Sequence, residues 1–573
     1  MSTAVKQAVK SPQAGGLRQA MAWLHTWSGL WISWLLFAIF LTGTLAVFDD
    51  PIGHWMQPEH ALEEAAHAGE APLPKVEDRG RRIELALAYM AKEHPGAGMW
   101  EVWPVQRPGQ GLSAYWFQRG GGYGSADLDP GTGAEIHHAP KATQRQTIGG
   151  HHFVDFHYQL HAARIGEWIV GITTMVMLVA LVSGVITHKR IFKDFFTFRP
   201  AKGQRSWLDA HNAVAVLSLP FQFMIAYTGL VFFSDDYVPA PVAVQYAGAP
   251  NIKKAFLDEW NDLGKPAASG RAMAVPALEP YALRAEQAIG QEIRAVVLDH
   301  PGDAAMRVCM YGWNEDVELK QRISATTGMA CYALASGEQI NVRLPGQADA
   351  GGAALTRMVM SNLHMVGFGG MPMRWLYFLC GLAGTAMMGT GAILFMVKRR
   401  QRAGGEFGRA TPQVYRLIAC LNVAAIAGLA VACVGFLWAN RLIPVGIEHR
   451  PGWEVRAFFG VWFLMLVHAC LRAEKRAWVE QLSLFAALCL LLPVLNLFST
   501  GDSVIAQIAR GDWESAGVEL TAIVFGLLGG WAAWRTWRTW RADTRQHKPA
   551  KKAVSEKTTA AAAALHATSK GQS

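Results

Sequence analysis

The chain has 573 residues, 51% of them hydrophobic and only 17% charged, with a formal net charge of +9. Its apolar residues gather into blocks of about 20, each long enough to cross a hydrocarbon core of roughly 30 Å as a helix, which excludes an ordinary soluble enzyme. Basic residues at helix ends have their own use in membranes, so the positive charge does not by itself indicate a nucleic-acid partner.

Residues 1–21 carry Lys6, Lys10 and Arg18 without an acidic side chain and read as a cytoplasmic N-terminus. Span 1 is expected over 22–48; Asp49, Asp50 and Pro51 follow it where a signal peptide would show a small-residue cleavage site. An outer segment, 49–166, then holds a helix pattern (RRIELALAYMAKEH), alternating strands around MWEVWPV and SAYWFQ, and the turn DPGTGAE. Residues 167–233 contain spans 2 (167–188) and 3 (208–233), joined by a basic loop with Lys189, Arg190, Lys193, Arg199, Lys202 and Arg205. A second outer segment, 234–373, repeats the plan with the helix YALRAEQAIGQ and strands near IRAVVLD, AMRVCMYG and MACYALASGEQI.

Span 4 (374–397) runs into Lys398, Arg399, Arg400 and Arg402. A C-terminal extension, 414–535, adds spans over 414–438, 454–472, 478–498 and 517–535, and a basic tail, 536–573, reads as disordered and cytoplasmic. Every even-numbered exit is basic, which places both termini in the cytoplasm. The expected fold is therefore an α-helical polytopic membrane protein of eight transmembrane helices, with a duplicated four-helix core and two small, mildly acidic α+β modules outside. Five of the seven cysteines fall in apolar blocks; Cys309 and Cys331 lie in the second outer segment, and their pairing stays open.

The duplication carries the chemistry. In spans 1 and 3 a Trp-Leu start leads to a histidine, and a Thr-Gly pair follows 17 residues later: His25 to Thr42, His211 to Thr228. Before spans 2 and 4, Leu160-His161 answers Leu363-His364; within them, Ser183-Gly184 answers Thr390-Gly391. Both copies run in the same direction, so a two-fold axis along the membrane normal relates them. The repeat pairs His25 with His211 at the cytoplasmic ends and His161 with His364 at the outer ends. Facing histidines in a four-helix bundle are a usual way to hold a b-type haem, and two pairs suit two haems stacked across the bilayer. Glycines beside Thr42 and Thr228 admit a close approach, although small residues also serve ordinary helix packing. His157, one turn before His161, and His188, at the inner end of span 2, can each replace a ligand or help to hold a third haem.

Other constellations rank lower. HHFVDFHYQLH offers His and carboxylate at helical spacing for a separate metal, but no HExxH is present. His54, His60, His67, His137 and His138 read as solvated loop residues, and His449 and His468 have no partner by repeat. No GxGxxG, Walker loop or nucleophile elbow stands in a strand-to-helix context, so no nicotinamide or flavin site is expected.

At these residues the sequence resembles the PepSY-associated transmembrane family of bacterial inner-membrane proteins. The resemblance rests on LHTWSGL…LTG, FHYQLHAARIGEWIVGI, SGVITHKRIFKDFFTFRPAKGQRSWLDAHN…LP…TGL and LHMVGFGGMPMRWLYFLCGLAG, and on a DPGTGAE turn similar to the family's outer-module signature. It covers roughly residues 20–400. It implies PepSY-like modules outside, a multi-pass protein of the bacterial inner membrane, and haem b held by His25, His211, His161 and His364 through the haem iron, with His157 and His188 inside matching motifs. It further implies an oxidoreductase that takes electrons from a cytoplasmic or quinone donor and passes them to a periplasmic acceptor, a ferric siderophore first of all. A membrane sensor or chaperone with two outer peptide-binding modules is the alternative; a transporter is disfavoured, because no span shows a Gly/Pro-broken middle with intramembrane charge. Spans 5–8 lie beyond the resemblance and carry no assignment.

Overall fold

The computed structural model describes residues 16–59, 79–104, 112–118, 123–136, 145–188, 204–238, 240–245, 247–248, 267–313, 322–323, 326–347, 352–400 and 407–546. His60, His67, His137, His138, most of the basic loop between spans 2 and 3, and the tail beyond 546 lie outside the described residues. Among the described residues, eight helices have the length and apolarity to cross a membrane: Leu17–Ala46, Ala163–Thr187, Arg205–Phe232, Gly370–Arg399, Gly408–Leu442, Arg450–Leu471, Glu474–Thr500 and Trp513–Arg541. All eight expected spans are present, most of them extended by a few residues because helical hydrogen bonding continues past the apolar stretch.

Shorter helices lie at the end of the bundle from which the sheet segments emerge: α1 (Asp49–Met56), α3 (His151–Gln159), α5 (Gly352–Met365) and α6 (Val504–Arg510). Two others belong to the sheet domain, α2 (Arg79–Glu93) and α4 (Glu279–Ile289). Left-handed residues break the chain between α3 and span 2 (Leu160, φ 52°; His161, φ 51°) and between α5 and span 4 (Val366, φ 55°; Gly369, φ 71°). Each break lets a short helix lie beside the bundle's end before the next span begins.

Span 1 packs on spans 2 and 4, and span 3 packs on span 4 and more lightly on span 2, which closes a four-helix ring. Span 5 is the most enclosed helix, with 78% of its apolar window buried, and contains a single π-helical turn at Ala424–Gly428. It joins the ring to spans 6–8 through contacts such as Trp34 Nε1 to Asn422 Oδ1, 2.7 Å.

The two outer segments share one antiparallel sheet. Strands β1 (Met99–Trp103), β2 (Leu112–Phe117) and β3 (Tyr123–Leu128) come from the first, and β4 (Ile293–Asp299), β5 (Arg307–Gly312), β6 (Met329–Ala333) and β7 (Glu338–Arg343) from the second. The order β3-β2-β1-β4-β5-β6-β7 is continuous across β1–β4, where Trp100 lies opposite Leu298. The sequence suggested a separate small sheet in each module; separate sheets would each leave an edge unpaired, and the β1–β4 ladder satisfies both. Helices α2 and α4 cover one face, enclosing Trp100, Val102, Leu112, Val296, Met310 and Tyr332. Arg79 of α2 bridges Glu279 and Glu286 of α4, locking the halves together. On β5 and β6, Cys309 and Cys331 lie directly opposite one another and form a disulfide.

Spans 5–8 bury a charged network at the end that carries α1 and α3. Arg450 and Glu454, both fully buried, pair at 2.6 Å one turn apart on span 6. Glu454 also accepts from Asn440 Nδ2 (2.7 Å) and Thr147 Oγ1 (2.6 Å), and Arg450 donates to the Gln146 carbonyl (2.8 Å). Glu519 accepts from Trp55 Nε1 (3.0 Å) and Asn496 Nδ2 (2.7 Å), while Arg441 donates to the Trp55 carbonyl (2.5 Å) and lies over its ring. Buried charges are costly unless paired and hydrogen-bonded, and here the pairing crosses from the extension to α1 and to the segment leading into α3. Helix α3 itself rests on the extension, with His152 stacked on Phe436 at 4.2 Å and Phe156 edge-on to Phe458 at 5.6 Å.

Candidate functional site

Four histidines are docked by one local arrangement used four times. Each of spans 1–4 supplies one hydroxyl-Gly pair to it: Thr42-Gly43, Ser183-Gly184, Thr228-Gly229 and Thr390-Gly391; a further pair in span 1, Ser28-Gly29, faces open space. The carbonyl four residues before each glycine meets a histidine Nδ1: Ile39 with His157 (2.8 Å), Ala180 with His25 (2.8 Å), Ile225 with His364 (3.1 Å) and Met387 with His211 (3.1 Å). The hydroxyl of the pair donates to the same carbonyl, at 3.2, 3.1, 3.2 and 3.0 Å in the same order. The glycine makes room for the ring. A Cβ at Gly43 would stand 2.5 Å from His157 Nδ1, and one at Gly229 2.8 Å from His364 Cε1. At Gly184 and Gly391 the nearest atoms of His25 and His211 would be 3.1 and 3.3 Å away.

The docking is reciprocal. Span 1 carries His25 to span 2 and receives His157 from the helix before span 2; span 3 carries His211 to span 4 and receives His364. His157 and His364 then meet, with ring centroids 6.1 Å apart. Burial pushes the imidazole of His364 down to about 4, and the charge of His157 adds to the shift; burial also lowers His157. Both are neutral near pH 7, the form that ligates metals.

The structure does not bring His161 to His364. Leu160-His161 and Leu363-His364 suggested that pair, but His161 has turned away in the left-handed break and meets His152 instead, Nε2 to Nδ1 at 2.9 Å. Helical register explains the exchange. His157 and His364, Ala180 and Met387, and Gly184 and Gly391 are all 207 residues apart, whereas His161 and His364 are 203 apart. A single constant offset through the whole second helix of each repeat would have identified His157. At the opposite end, His25 meets the Ala180 carbonyl of span 2 and His211 the Met387 carbonyl of span 4, at equivalent turns of the two repeats. His188 ends span 2, its N–H donating to the Gly184 carbonyl at 3.1 Å.

This geometry fixes a tautomer. A carbonyl only accepts, so in the neutral ring each Nδ1 carries the proton and each Nε2 keeps its lone pair; a hydrogen bond to one ring nitrogen commonly orients a histidine whose other nitrogen ligates a metal. Among the described residues no hydrogen bond reaches Nε2 of any of the four. The His157 and His364 rings, 6.1 Å apart between centroids with planes inclined by 28°, are brought together at one level. The two levels are about 24 Å apart, counted along span 1 from His25 to the Ile39–Gly43 turn at 1.5 Å per residue. The residues present thus bring two imidazoles with unbonded Nε2 atoms together at one end, and set His25 and His211 on equivalent turns at the other.

The remaining candidates do other work. Among the described residues, no cluster of three or more His, Cys, Asp or Glu side chains converges on a metal site. His151 is exposed beside Asp155, His468 bonds Glu480 Oε2 at 2.8 Å, and His449 is exposed. Of the outer aromatics, Trp100 is core and Trp116 stacks on His94, whereas Trp103 and Tyr115 lie on the sheet face away from α2.

Eight apolar spans and a separate antiparallel sheet domain define a polytopic membrane protein with an extramembrane α+β part. Its family follows from residues 22–398, which match the model of the PepSY-associated TM region: the chain belongs to the PepSY-associated transmembrane family. It is also similar to the uncharacterized protein PA4219 of Pseudomonas aeruginosa, 25% identical over 393 residues that cover 65% of this chain and 92% of that one. The family match takes in all four docked histidines and ends just before span 5.

Proposed function

We propose that the chain is a bacterial inner-membrane electron-transfer protein that holds two b-type haems and reduces ferric iron presented by a siderophore on the periplasmic side. The observation that carries this reading is the fourfold docking, which leaves four proton-free Nε2 atoms at two depths. His157 and His364 would hold the outer group and His25 and His211 the inner one, with His188 at hand on the inner level. Bound haem would supply a one-electron couple at each depth.

The chain's own residues do the rest. The carbonyls of Ile39, Ala180, Ile225 and Met387 fix the ligand tautomers, and the four glycines let each ring reach its carbonyl. Apolar spans keep water from the space between the two levels. Ferric iron, as substrate, gains one electron; hard-oxygen chelators hold Fe²⁺ less tightly, so the metal leaves without covalent catalysis.

Two observations support the orientation. Basic residues end spans 2 and 4, as expected for cytoplasmic ends, and the Cys309–Cys331 disulfide at the opposite end suits an oxidising compartment. Electrons would enter from a cytoplasmic or quinol donor. The competing reading is a non-enzymatic sensor that binds peptide through its sheet domain. An optical spectrum of protein purified from haem-replete cells separates the two: a Soret band that shifts on dithionite reduction is expected, and its absence would leave the sensor.

A further inference from the structure

A cleft of about 730 Å³ opens at the basic end, where spans 5, 6 and 7 meet span 4. Its floor is apolar and lies within the spans: Met396, Ala419, Val423 and Ala469. Its mouth is polar, with Thr411, Tyr415 and Glu474 beside Arg409, Arg416 and Arg472. Two of these arginines are already committed. Arg472 forms a two-point pair with Glu480, and Arg416 donates to the Cys470 carbonyl at 3.0 Å. The cleft is therefore an apolar slot with a polar edge, at which two of the three arginines are bound to other groups of the chain.

The same cleft is joined to the inner histidine level by ring contacts. Tyr415 lies 6.2 Å from Phe407, Phe407 lies 6.5 Å from Trp27, and Trp27 is two residues beyond His25 on span 1. Trp27 also meets Phe395, the neighbour of Met396 on the cleft floor, at 5.9 Å.

We propose that this cleft binds a membrane quinol and is where electrons enter the protein. The inference rests on the electron-transfer reading above. A quinol is neutral, planar and dissolved in the bilayer, and its two hydroxyls match an apolar slot with a polar edge. Its oxidation to the quinone releases two protons and two electrons; the protons would leave through the mouth of the cleft, and the two haems of the reading above, when bound, would supply the one-electron acceptors. Spans 5–8, which no repeat explains, thereby acquire a role as the donor module.

The test uses the full-length protein in nanodiscs. A short-chain azido-quinone should, on illumination, label the segments around 408–423 or 469–474, and excess decylubiquinol should remove the label. Labelling does not depend on haem. With ferric protein under anaerobic conditions, decylubiquinol should reduce the haems with saturation, and Ala419→Trp should slow that reduction about tenfold at sub-saturating quinol while dithionite still reduces fully. Label elsewhere, label that decylubiquinol does not displace, or reduction by NADH or reduced flavin but not by quinol would overturn the proposal. If Ala419→Trp fails to fold, Ala469→Phe takes its place, and an unchanged quinol rate in a folded variant also overturns it. Absence of any dithionite-induced change would instead remove the haem reading, while the labelling would still report on the cleft.

Discussion

His157 and His364 come from helices 207 residues apart in the chain, yet their rings stand 6.1 Å from each other with planes inclined by 28°. Each is anchored by Nδ1 to a carbonyl on a different span, Ile39 or Ile225, so neither ring can turn without losing a hydrogen bond. His161, the neighbour that the Leu-His repeat favours, is bonded to His152. His157→Ala and His364→Ala should therefore each remove about one haem per chain in a pyridine-haemochrome assay, and His161→Ala should keep both. Loss of haem in His161→Ala with retention in His157→Ala would restore the pairing first suggested by the sequence.

The glycines grade the same site. A methyl at Gly43 or Gly229 would run into the docked ring, whereas at Gly184 or Gly391 it would meet one at 3.1 Å or more. Gly43→Ala and Gly229→Ala should destabilise the protein by about 1–3 kcal/mol and perturb the outer haem's spectrum. Gly184→Ala and Gly391→Ala should be milder. Equal effects at all four positions, measured by thermal unfolding and redox titration, would contradict the docking geometry.

The extension is fastened to the core by buried charge. Removing one partner of Arg450–Glu454 leaves the other uncompensated at zero exposure. Arg450→Met or Glu454→Leu alone should cost about 3–5 kcal/mol, and the double variant should cost less than either. Additive losses in thermal unfolding would show that the pair is not coupled.

The disulfide closes a loop of sequence separation 22 between paired strands. Such a cross-link contributes about 3 kcal/mol by constraining the unfolded chain. Cys309→Ala/Cys331→Ala should lower the unfolding temperature of the sheet domain and leave the haem spectrum unaltered. A shifted haem spectrum would mean that the sheet and the outer histidines are coupled.

Much of this architecture can be read from the sequence, and the exceptions have physical causes. Runs of about 20 apolar residues mark every span, and the equal spacing of His25–Thr42 and His211–Thr228 marks the duplicated docking elements. The outer pair is obscured because two histidines, His157 and His161, compete in one short stretch, and the Leu-His step marks His161 whereas the constant offset of 207 residues marks His157. The β1–β4 ladder joins strands almost 200 residues apart and leaves no local signal. Arg441, Arg450, Glu454 and Glu519 are buried, and their burial depends on four segments meeting, which no single segment encodes.

The central claim is that the four docked imidazoles ligate haem at two depths. The most direct measurement is the haem content and reduced-minus-oxidised spectrum of the purified chain, set beside His25→Ala and His157→Ala. The account predicts two low-spin b-type haems per chain, with one lost in each variant and both lost in the double variant. A haem-free wild-type chain from haem-replete cells, or variants that keep the full complement, would contradict it.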